Sequence, residues 1–467
     1  MYIQQIYTNC LSEAAYYIES NGEAAIIDPL RDIDEYLALA KERNANIRYI
    51  FETHFHADFV SGHLDLSKQT GAPIIFGPGA ATDFKAHNAS DGEVFKLGDI
   101  SLEVLHTPGH TLESSCYLLK DENNKPHAIF TGDTLFVGDV GRPDLSSGNM
   151  SSEELAAIMY ETIQKKILPL SDDILVYPAH GPGSSCGKNM GPDKHSTIGE
   201  EKQHNYALQP QSLDEFVKQV TNGLNTAPRY FSINAKINQT GYDAIEKLVK
   251  RGTTALSVDE FKAQMEGDVI ILDTRHAVEF TEGFIPGSIF IGLEGRFAEW
   301  AGSLLSFDKP LLLVSADGKE EEAVIRLARV GFDKMVGYLN GGFETWKKAG
   351  EKIDMIVNVD PDELVMDMPH DPNMIVVDVR RETEFADGHL KDALNLPLDE
   401  MTDIAELAQF DDSQNLYIHC AGGYRSVIAS SLLKNQGVHN LRNVTGGWNQ
   451  IKEQEKIKVI KETSFLN

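Results

Sequence analysis

THFHADF, residues 53–59, follows an apolar run that ends at Ile50 and Phe51. The run reads as a strand and the seven residues as the loop leaving it, so His54, His56 and Asp58 are delivered, on alternate positions, at a strand end. Three further segments repeat the arrangement. HTPGHT (106–111) supplies His106 and His110, FTGDT (130–134) supplies Asp133, and YPAHG (177–181) supplies His180, each at the close of an apolar stretch. One such histidine is ordinarily a satisfied structural residue. Four strand ends carrying imidazoles and carboxylates point to a metal ion, because that set is costly to bury without a cation.

Around these segments, strand-like runs (AAIIDP, APIIFG, SLEVLHTP, DILVYPAH) mix with helical patterns such as DIDEYLALAKER and SEELAAIMYETIQKKIL. The first block, residues 1–253, therefore reads as α/β. After it the texture changes to two shorter units that overlay each other. ILDTRHAVEFTEGFIPGSI in the first matches VVDVRRETEFADGHLKDAL in the second. Asp273 and Asp378, Glu279 and Glu384, and Gly341 and Gly446 are each 105 positions apart, which marks a duplicated domain. The units are set at 254–354 and 355–467, with a short linker around 351–360.

The chain has 467 residues, too many for one ordinary core, and its composition (42% hydrophobic, 24% charged) is that of a folded globular protein. A formal charge of -29 with no basic cluster argues against a nucleic-acid partner. No basic start with an apolar stretch behind it and no apolar run of about 18 residues signal secretion or membrane insertion. Four sparse cysteines fit neither a disulfide framework nor a CxxC zinc site, so they read as reduced thiols in cytoplasm. Cys10 and Cys116 read as small buried hydrophobes.

At its histidine and aspartate motifs the first block resembles the metallo-β-lactamase superfamily, whose pattern is HxHxDH followed by a distant His, an Asp and a last His. The resemblance implies an αββα sandwich. Where the pattern has the final His of HxHxDH, this chain has Phe59, which cannot ligate; a two-metal zinc hydrolase thereby loses a donor at its second site. What remains resembles persulfide dioxygenases, which implies one Fe(II) per chain held by His54, His110 and Asp133. Two imidazoles and one carboxylate leave positions open for oxygen chemistry. His56, Asp58 and His180 then either orient ligands and water or stand unused. In TGDTLFVGDVGRPDL (131–145), Arg142 either anchors an anionic group of the carrier thiol or pins the loop through Asp144. Cys186, in the glycine- and serine-rich loop after His180, either relays sulfane sulfur or is a bystander.

NLYIHCAGGYRSVIASSLL (415–433) resembles the rhodanese active-site loop. Amides of a small-residue loop at a helix N-terminus favour a thiolate on Cys420 and a persulfide formed there, and Arg425 adds positive charge for an anionic acceptor such as sulfite. In the preceding unit Ser315 replaces the cysteine and Glu320 the arginine, so that unit reads as an inactive scaffold.

Together these resemblances imply Fe(II)-dependent oxidation of a low-molecular-weight thiol persulfide, of glutathione or coenzyme A type, by dioxygen. The products are sulfite and free thiol, with rhodanese transfer to thiosulfate in sulfide detoxification. A glyoxalase II-like zinc hydrolase and a persulfide carrier or sensor are the alternatives, and homo-oligomer formation is left open. Ser315→Cys, tested in a Cys420-free background, is expected to restore no sulfur transfer. Glu320 and its acidic neighbours oppose thiolate and anionic acceptor alike, by about 1 kcal/mol per exposed charge. A rhodanese assay checks this, and measurable activity contradicts it.

Overall fold

The structure is a computed structural model and describes residues 1–145, 150–224, 226–401, 410 and 413–462; the last five residues of the third block, 463–467, lie outside the described residues. Two compact units divide the chain: residues 1–247 with 325–333, and 248–324 with 334–467.

In the first unit, β1 (Tyr2–Thr8), β2 (Glu13–Ser20), β3 (Glu23–Ile27), β4 (Asn46–Phe51), β5 (Ile74–Phe76) and β6 (His87–Asn88) form one sheet in chain order. The strands β7 (Val94–Leu97), β8 (Ile100–His106), β9 (Ser115–Lys120), β10 (Pro126–Gly132), β11 (Leu175–Pro178) and β12 (Ser196–Thr197) form a second, also in chain order. Strand alternation shows how the layers stack. Tyr16, Ile18, Ala25, Ile27 and Phe51 meet Leu102, Val104, Tyr117, Leu119 and Phe130 between the sheets. The intervening positions Tyr17, Ala24, Ile26 and Ile50 pack outward with Tyr36 and Ala40 of the helix Asp34–Glu42 and Leu66 of the helix His63–Thr70. Cys116, Leu118, Ile129 and Val176 pack outward with Met159 of Ser152–Thr162 and Phe216 of Leu213–Thr221. This is the expected αββα sandwich, and burial on both strand faces explains continuous apolar runs such as AAII.

The second unit contains two five-stranded parallel sheets. Their orders are Ala255–Leu256, Met335–Leu339, Leu311–Val314, Ile270–Asp273, Ile289–Phe290, and Val357–Val359, Leu441–Val444, Asn415–His419, Met374–Asp378, Leu394–Asn395. The sequence repeat is also a repeat of side-chain contacts. Arg275 binds Asp273 (Nη2 to Oδ2, 2.6 Å) and the Gly283 carbonyl (2.9 Å) and lies over the ring of Phe343. Arg380 does the same with Asp378 (2.6 Å), Gly388 (2.7 Å) and Trp448. The Gly-Gly turns also match, with Gly341 and Gly342 at φ 74° and 60° and Gly446 and Gly447 at 66° and 55°. These left-handed angles suit glycine, and a Cβ on Gly447 would stand 2.3 Å from the Cys420 carbonyl oxygen.

The linker is structured. Asp354 exchanges both backbone hydrogen bonds with Phe284, Ile356 N–H donates to Thr281, and Val357–Val359 pairs with Leu441–Val444 as an edge strand of the third block's sheet. Among the described residues no helix is long and apolar enough to cross a membrane.

Arg380→Met is expected to destabilise the second unit by about 3–5 kcal/mol, because it leaves the fully buried Asp378 carboxylate without its cation. A urea titration followed through the tryptophans checks this; a midpoint equal to the wild type contradicts it.

Candidate metal centre

Loops leaving β4, β8, β10 and β11 carry His54, His110, Asp133 and His180, all buried. Nε2 of His110 lies 3.4 Å and that of His54 3.9 Å from Asp133 Oδ2. His180 Nε2 lies 3.5 Å from Asp133 Oδ1 and 3.4 Å from Asp58 Oδ2. One donor atom from each of His54, His110 and Asp133 falls within 4.8 Å of the others.

Hydrogen bonds on the far nitrogens fix which face each imidazole presents. His110 Nδ1 meets the Arg142 carbonyl at 2.8 Å and His180 Nδ1 the Ser12 carbonyl at 3.1 Å. A carbonyl only accepts, so both Nδ1 atoms carry the proton and both Nε2 lone pairs face the centre. His54 reaches the same state through Thr53. The Thr53 hydroxyl donates to Asp28 Oδ2 (2.8 Å), leaving its oxygen to accept from His54 Nδ1 (3.0 Å). Burial first, then the neighbouring His56, His110 and His180, hold the His54 pKa well below its usual value, which keeps the ring neutral.

His56 does not join them. Its Nε2 turns to Asp28 Oδ1 (3.0 Å) and Glu52 Oε2 (3.5 Å). Burial pushes this imidazole down, but the Asp28 and Glu52 carboxylates outweigh it and leave it at about 9. The Phe59 ring, fully buried, lies against the His56 ring at 4.3 Å. Asp28, Glu52 and His56 therefore form a separate group that holds His54 through Thr53.

Cys186 is drawn in beside the centre, where Asp58, His180 and Cys186 bring donor atoms within 4.8 Å of one another. Burial first, then Asp58 and Asp133, push the Cys186 thiol well above its usual pKa. Asp58 is likewise raised by burial, against His180 and His56. Both carboxylate oxygens of Asp58 and of Asp133, and Nε2 of His180, are buried and lack a hydrogen-bond partner among the described residues. Orphaned carboxylates facing imidazole lone pairs are what a bound cation resolves, so the donor set fits a metal ion.

Arg142 ties the loops together. Its guanidinium binds both Asp144 oxygens at 2.7 Å and the Ser185 carbonyl at 3.3 Å, and its N–H donates to the Cys186 carbonyl. The Asp144 pair is the contact expected of a pinned loop. His106 stands apart, its Nε2 on the Leu112 carbonyl. Cys116 is buried, its thiol pushed up to about 11 by burial, whereas Cys10 is partly exposed, 3.9 Å from Arg329 Nη1, and so departs from the expected buried hydrophobe. The Asp28 and Glu52 roles were missed, although AAIIDP and YIFETH end their strands in those carboxylates.

In the third block the Gly423 N–H donates to Cys420 Sγ at 3.1 Å at the head of the helix Tyr424–Asn435. Arg425 is paired with both oxygens of Glu384 (2.7 and 2.8 Å), a partner the sequence reading did not assign. Burial raises the Glu384 pKa but the Arg425 hydrogen bonds outweigh it, and the carboxyl lies below its usual value. In the middle block the Ser315 hydroxyl lies 2.8 Å from that of Thr274, and Glu320 opens the helix Glu320–Ala328.

Residues 8–180 match the metallo-beta-lactamase superfamily, and 257–349 and 360–454 each match the rhodanese-like domain. A hydroxyacylglutathione hydrolase, GloC of Haemophilus influenzae, is 30% identical over 215 residues, 42% of this chain and 91% of that protein. A probable hydroxyacylglutathione hydrolase of Schizosaccharomyces pombe is 30% identical over 211 residues, 40% of this chain and 78% of that protein. The crystal structure of a metallo-β-lactamase from Staphylococcus aureus superposes with a TM-score of 0.64 at 33% identity, over 73% of this chain and 98% of that one. The chain belongs to the metallo-β-lactamase superfamily and carries two rhodanese-like domains behind its metallo-β-lactamase domain.

Gly141→Ala is expected to weaken metal binding roughly 10–100-fold, the size of losing a residue that orients ligands. A Cβ there would stand 2.1 Å from the Asp133 carbonyl oxygen and 2.9 Å from His110 Nδ1. Metal content after dialysis against a graded chelator checks this; retention equal to the wild type contradicts it.

Proposed function

We propose that the protein is a persulfide dioxygenase with thiosulfate sulfurtransferase activity. The metal domain spans 1–253, an inactive rhodanese-like domain 254–354 and an active one 355–467. The observation that carries this reading is the convergence of His54, His110 and Asp133, with phenylalanine at position 59. The overall reaction is RSSH + O2 + H2O → RSH + sulfite + two protons, and Cys420 then moves a second sulfane sulfur to sulfite.

His54, His110 and Asp133 would hold a ferrous ion, which would supply the redox chemistry for dioxygen. The Arg142 carbonyl and Thr53 hydroxyl keep both imidazoles in the ligating tautomer. His56 positions His54 through Asp28, while Asp58 and His180 lie beside the centre, where they orient ligands and water. Arg142 and Asp144 fix the loop that carries Cys186 against it. At the second site the Gly423 amide supports negative charge on Cys420 sulfur, and Arg425, poised on Glu384, provides the cation for an anionic acceptor. The substrates are a small thiol persulfide of glutathione or coenzyme A type, dioxygen and sulfite. Four free thiols suit a cytoplasmic location.

A second reading draws on the grouping of Asp58, His180 and Cys186 and on the hydrolase names of two relatives. If the Cys186 thiolate replaces the imidazole missing at position 59, two zinc ions and thioester hydrolysis follow.

Oxygen uptake by anaerobically iron-loaded protein decides between them. With glutathione persulfide, the wild type is expected to hold one iron per chain, consume dioxygen and release chiefly thiosulfate. Cys420→Ser should take up dioxygen at the same rate but release sulfite, because a serine hydroxyl does not form the enzyme persulfide. The products are read early and at low persulfide, before sulfite reacts spontaneously. Two zinc ions with thioesterase activity and no uptake would overturn the reading, and unchanged thiosulfate from Cys420→Ser would remove the rhodanese step.

A further inference from the structure

The middle block lacks a nucleophile, yet it touches the loop that has one. The helix Tyr424–Asn435 begins at that loop and lies along Ile289–Phe290, the edge strand of the middle block's sheet. Three residues of one helix face make the contact. The Tyr424 hydroxyl donates to the Gly292 carbonyl at 2.8 Å, the Ser431 hydroxyl accepts from Phe290 N–H at 3.0 Å, and the Asn435 amide donates to the Gly287 carbonyl at 2.7 Å. The Tyr424 ring also meets the fully buried Phe290 edge-on, centroids 5.9 Å apart.

The position of Tyr424 gives this contact chemical meaning. Between Cys420 and the helix the loop is Ala-Gly-Gly, and Gly423, whose N–H reaches the sulfur, has a φ of 106°. Two glycines leave that segment conformationally free unless both ends are held. The near end is held within the third block, where Trp448 and Asn449 N–H groups donate to the carbonyls of Cys420 and Ala421. Tyr424 is the first residue beyond the glycines with a side chain to anchor, and its anchor belongs to the middle block.

We propose that the middle block is a positioning element for sulfur transfer, and that Tyr424 is the residue through which it fixes the Gly423 amide on Cys420. This inference rests on the reading of Cys420 as a sulfurtransferase nucleophile. It gives the degenerate repeat a role in the chemistry of its neighbour.

The test uses the full chain, thiosulfate as donor and a small thiol as acceptor, together with the pH profile of Cys420 alkylation followed by peptide mass spectrometry. Tyr424→Phe removes one oxygen. It is expected to lower kcat roughly fivefold, the size of one lost hydrogen bond, with KM for thiosulfate unchanged. The alkylation midpoint should move to higher pH at unchanged thermal stability, and Phe290→Ala should move both readouts in the same direction. Ser431→Ala cuts a contact to the same strand two turns further along the helix, and it should leave both at wild-type values. A wild-type alkylation profile in Tyr424→Phe overturns the proposal, as does an equal loss in Ser431→Ala, which would assign the effect to docking in general. No transfer by the wild type would instead overturn the reading on which the proposal rests.

Discussion

The first unit is governed by the cost of burying Asp58, Asp133 and three imidazoles in one place. Two carboxylates at the mouth of a sandwich whose layers are closed by aromatic and aliphatic side chains are far from water. Desolvation of this kind is offset by opposite charge close at hand, and no lysine or arginine among the described residues pairs with either group. The rest of the site follows from that constraint. Each of the imidazoles of His54, His110 and His180 is held from behind by an acceptor that removes its freedom to turn, so the lone pairs and the carboxylates meet without further rearrangement.

The second unit shows what a duplication keeps. The arginine clasp on the strand-end aspartate, its aromatic lid and the paired glycines recur in both repeats, because they hold a parallel sheet to the turn that follows it. In the loop after Leu311–Val314 serine and glutamate stand for cysteine and arginine, and it is Glu384, the counterpart of Glu279, that holds Arg425.

Much of this was legible in the sequence for one reason: motif residues sat at the ends of apolar runs, and a strand end leaves little choice about where its next side chains go. His54, His110, Asp133 and His180 were found in that way. The ring orientation of His56 was not, since its direction depends on Asp28, which a neighbouring strand brings alongside. The constant register of the repeat put Ser315 and Glu320 in the places of the cysteine and the arginine directly. Glu384 lies 41 residues from Arg425, and no local pattern joins them. Tyr424 was hidden for a similar reason: its partner is a backbone carbonyl in the other repeat, and a carbonyl has no sequence signature.

The junction between the repeats deserves reading as a piece of architecture. Residues 354–359 are paired to Phe284 and Thr281 on one side and supply an edge strand on the other. A protease searching for the boundary would therefore meet extended backbone already engaged on both flanks, not a loose tether. Severing the chain there would strip a strand from the third block and unpair the middle one. The two copies are in this sense one building piece, since neither can be cut out whole without taking part of the other.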